Sequence, residues 1–144
     1  MNRTAYNFEL TIGDWSGDGH SQTQQFIIRF SCVSGDTDGA MNEIREAAER
    51  ARKIRPDLNP ENFCADYEDR TMPQDVRTAY ESLGVVFMDE RTYTTATDMV
   101  ACVIAFLKIG DPDLAPELVD IPSIPLGGRK GGVFGSIGYG VFSP

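Results

Sequence analysis

At the start of the chain, apolar and polar positions alternate with a period of two. Tyr6, Phe8, Leu10 and Ile12 are separated by Asn7, Glu9 and Thr11, the pattern of a strand buried on one face. Phe26, Ile28 and Phe30 alternate in the same way with Ile27, Arg29 and Ser31. The two runs are predicted to pair as an antiparallel hairpin over 4–12 and 24–32, with residues 13–25 as its loop. A connection of that length is unusual for a hairpin, and long connections in compact domains tend to carry function.

The period then changes to that of a helix. Met41, Ile44, Ala48 and Ala51 mark one stripe of a helix over 40–54, with Asp36 or Asp38 as its cap. Glu46–Arg50 and Glu49–Lys53 stand four apart on the solvent side, where such pairs are favourable. Arg55-Pro56 ends this helix, and Asn59-Pro60-Glu61 reads as the start of a short turn. Thr71-Met72-Pro73-Gln74 has capping-box spacing and opens a second helix over 73–83, stopped by Gly84. Val85 to Met88 reads as a short strand. Thr95-Ala96-Thr97-Asp98 caps a third helix over 95–109, whose Val100, Val103, Ile104, Phe106 and Leu107 leave little polar face. A helix apolar nearly all round belongs in the centre of a fold. Asp111 to Pro125 holds four prolines and is expected to be an extended crossover.

The C-terminal pattern is different again. Residues 127–140 contain seven of the 14 glycines, and Ile137, Tyr139 and Val141 alternate with Gly138 and Gly140. A strand with glycine along one face lets another backbone approach closely, whether a neighbouring element or a second subunit. The elements together predict a single α+β domain over residues 1–144. Its antiparallel sheet carries the N-terminal hairpin and the C-terminal Gly-rich strand, with three helices on one face.

Charge and cysteine usage narrow the function classes. Thirteen Lys and Arg against 22 Asp and Glu leave a formal charge of −9, which disfavours extended nucleic acid and anionic membranes as partners. The residues Met1 to Tyr6 carry no apolar signal core, and the apolar run Met99 to Ile109 is too short to span a bilayer. Cys32, Cys64 and Cys102 are far apart, with no Cys-x-x-Cys pair, so neither a disulfide framework nor a cysteine zinc site is expected. The expected location is the cytoplasm.

Four constellations could carry chemistry. Asp14, Ser16 and Asp18, followed by Gly19, resemble positions 1, 3, 5 and 6 of a helix-loop-helix calcium loop. The likeness stops at Ser21 and at Gln25, which stands where a bidentate carboxylate is needed, and strands flank the segment. The lone His20 lies near Asp14 and Asp18, the arrangement of a metal-assisted hydrolase; no nucleophile elbow accompanies it, and an exposed loop histidine is the simpler account. Asp66, Glu68 and Asp69 with Asp36 and Asp38 would form a cation cluster only if the fold joined their loops, and a solvated acidic face or a set of helix-capping carboxylates is the simpler account.

The fourth is Gly127-Gly128-Arg129-Lys130-Gly131-Gly132. Backbone N–H groups at successive glycines converge readily on an anion, and the two cations add charge. It is neither a Walker loop nor a dinucleotide fingerprint, and no cofactor is implied. The leading expectation is a non-catalytic, oligomeric protein that binds a small anion such as a nucleotide or phosphate. Arg129, Lys130, Gly128 and Gly131 would hold the anion, with Trp15 and Tyr139 available for stacking. The alternatives are an interaction module without a ligand and the hydrolase built on Asp14, Asp18 and His20.

Overall fold

The alternating apolar positions of the N-terminal runs do pair. In a computed structural model describing residues 2–15, 21–60, 72–87, 96–119 and 136–138, β1 (Thr4–Trp15) lies antiparallel to β2 (Ser21–Cys32). Tyr6 faces Phe30, Phe8 faces Ile28 and Leu10 faces Phe26. These residues share one pleat face, and Phe8 meets Phe30 edge to face at 6.0 Å. The register runs unbroken from Thr4↔Cys32 to Trp15↔Ser21. The strands therefore extend past the expected 4–12 and 24–32, and most of the predicted 13–25 loop is ladder. Apolar alternation reports burial, whereas backbone pairing needs no apolar side chains, so the ribbon continues where that signal ends.

Helix α1 (Thr37–Ile54) begins three residues before its predicted start at residue 40, directly after its cap, Asp36. The Asp36 carboxylate accepts the Gly39 N–H at 2.7 Å, which satisfies one of the four donors a helix start leaves unpaired. Ala40, Met41, Ile44, Ala47, Ala48 and Ala51 are buried. A single 3-10 turn follows over Pro56–Leu58, where Pro56 already holds the φ that such a turn requires. The turn expected from Asn59-Pro60-Glu61 runs into residues 61–71, which lie outside the described residues.

Helix α2 (Gln74–Ser82) ends as the glycine predicts. Gly84 takes φ +97°, its N–H bonds the Glu81 carbonyl, and the Val85 N–H bonds the Tyr80 carbonyl. This double closure is a Schellman motif, with Val85 and Tyr80 both buried beside it. Val85 is thus engaged in capping, and residues 85–87 form no strand. Helix α3 (Ala96–Gly110) matches its expected span to within one residue.

After α3, Asp111 caps a 3-10 turn (Pro112–Leu114), Ala115 adopts the left-handed region at φ 44°, and β3 (Glu117–Val119) pairs antiparallel with β2. The expected crossover therefore hides a strand, too short between Pro116 and Pro122 to show alternation. β4 (Ser136–Gly138) pairs with β1 in parallel, correcting the expectation of a wholly antiparallel sheet. The sheet order is β3-β2-β1-β4. Among the described residues, three antiparallel strands with three helices make the fold α+β.

Tyr6, Phe8, Leu10, Ile28, Phe30 and Cys32 join residues of the three described helices in one buried cluster. Burial is not confined to that side. Ile27, on the opposite pleat face, is only 2% exposed.

Candidate functional site

The two glycine-rich segments singled out in the sequence meet the described fold at β1. Trp15 is its last residue, opposite Ser21, and Asp14 pairs in register with Gln22. Asp14 therefore sits in a paired strand, where a calcium loop would need the first residue of a coil. Asp18 and His20 lie outside the described residues, as do Arg129, Lys130, Gly128, Gly131 and Tyr139.

β4 is the described landmark for the C-terminal segment. Its residues Ser136 and Gly138 lie beside Glu9 and Thr11. Thr11 is four residues from Trp15, roughly 13 Å at the rise of a strand. Because β4 runs parallel to β1, its C-terminal end points toward Trp15 and its N-terminal end away. Tyr139 and the residues after it lie outside the described residues.

A second polar constellation lies where β2 passes into α1. The Glu43 carboxylate accepts the N–H groups of Val33 and Ser34 at 2.9 and 2.8 Å. The Tyr6 hydroxyl donates to the Ser34 carbonyl at 2.7 Å. Beneath it, burial pushes the Cys32 thiol up to about 12, with the Glu43 carboxylate adding to the shift. A thiol held neutral this firmly is a poor nucleophile. Asp36 is occupied as a helix cap, which assigns that carboxylate to capping. Its proposed partners Asp66, Glu68 and Asp69 lie outside the described residues. The constellation organises a turn and offers no reacting group.

Several charged side chains take positions that local sequence does not announce. Arg50, expected to pair with Glu46 in solvent, instead donates through Nε to the Gly110 carbonyl at 2.9 Å and lies 3.7 Å from Asp111. A cation there completes the C-terminus of α3, where carbonyls lack partners. The contact spans 60 residues, so no spacing rule reaches it. Arg77 is buried on α2, its guanidinium 4.5 Å from the centre of the Phe87 ring, a cation–π arrangement. Asp98 is buried in the first turn of α3, where the helix dipole favours a carboxylate.

Among the described residues no three His, Cys, Asp or Glu side chains are grouped to hold a metal ion. No helix of those residues is long and apolar enough to cross a membrane. No protein-family model, curated protein or solved structure matches the chain.

Proposed function

We propose that this chain is a non-catalytic, self-associating protein that binds a small anion of the nucleotide or phosphate class. Arg129 and Lys130 supply the charge, the Gly128 and Gly131 backbones supply N–H donors, and Trp15 and Tyr139 stack on a base if the ligand has one. The observation that carries this reading is local composition: two adjacent cations stand between paired glycines in a chain of net charge −9. Such a loop can aim donors and charge at one phosphate without side-chain obstruction.

The test is calorimetry of the full chain against inorganic phosphate and a panel of nucleotides, including cyclic ones, at moderate salt. The variant Arg129→Ala with Lys130→Ala should bind more than tenfold more weakly, since each charged hydrogen bond lost costs about 1.5–3 kcal/mol. Its thermal midpoint should stay unchanged, because exposed charges add little stability. A wild type that binds nothing, or a variant that binds equally well, overturns the reading.

An interaction module without a ligand draws on a separate observation. Among the described residues, β4 pairs with Glu9 to Thr11 of the 12-residue β1. If part of that edge is left unpaired, it is a template for another chain.

A further inference from the structure

We draw no further inference here: the strongest candidate, the exposed apolar turn of Leu83 and Val86 after α2 beside the Arg77–Phe87 stack, has nothing in the structure to show what covers it.

Discussion

Gly110 closes α3 directly against the backbone of α1. A methyl group added there would overlap the carbonyl of Ala47, an atom held in the hydrogen-bonded body of a helix. Two effects compete in Gly110→Ala. Alanine improves helix propensity by at most about 1 kcal/mol, whereas overpacking a rigid contact costs about 1–3 kcal/mol. The backbone cannot swing aside as a side chain would, so the clash prevails. Urea denaturation should show a net loss of stability, and a more stable variant would mean that the two helices are not in this contact.

Cys32 gives the residue scale a pH dependence. Its thiol is raised from about 9 to about 12 in the folded chain, so the unfolded state ionises first. The resulting stability is fully present below about 9 and is lost as pH climbs through that window. Tyr80, buried with its hydroxyl on the Leu58 carbonyl, is shifted upward by desolvation and acts in the same direction. Comparing denaturation at pH 8 and pH 10 should therefore show an alkaline loss that is smaller in Cys32→Ala. An identical loss in both proteins would show that the thiol is solvated.

At the scale of elements, α3 brings Val100, Val103, Phe106 and Leu107 into the core. Phe106 is fully buried and Ile104 only partly so, although both lie in the same apolar run. Phe106→Ala is expected to cost about 3–5 kcal/mol, the range for deleting a buried ring. Ile104→Ala should cost measurably less, and a reversed order in thermal or chemical denaturation would show that α3 is rotated from this position. The helices were legible from apolar periodicity or a long apolar run and from local stop signals, as with the Asp36 cap of α1 and Gly84 after α2. The strands were legible only while one face was buried. Beyond Ile12 the apolar alternation stops while the backbone ladder continues, and β3, three residues between prolines, has too few positions to show any period. Arg50 at the end of α3 was illegible for another reason, since its partners are distant in sequence. The candidate site divides similarly: composition marks Arg129, Lys130 and Trp15, and the described fold fixes only Trp15, at the end of β1.

For the whole molecule, the strand pairing makes self-association a question with opposite possible answers. β4 covers Glu9 to Thr11 on one edge of the β1–β2 hairpin, and the chain following it alternates glycine with Tyr139 and Val141. If that Gly-alternating strand is the contact between copies, deleting residues 133–144 removes the contact and the mass falls to that of a monomer. If β4 instead shields β1, the same deletion bares three more pairing positions, and edge strands without cover recruit other chains. The truncated chain would then associate more than the full chain. The net charge of −9 opposes both kinds of contact through mutual repulsion, and salt screens it, so sedimentation is best run at low and moderate ionic strength. The proposed self-association predicts an oligomer for the full chain and a smaller species after truncation at both salts. A full chain that stays monomeric at high concentration, or a truncation that grows, sinks it and leaves the C-terminal strand as a guard on the edge of the sheet.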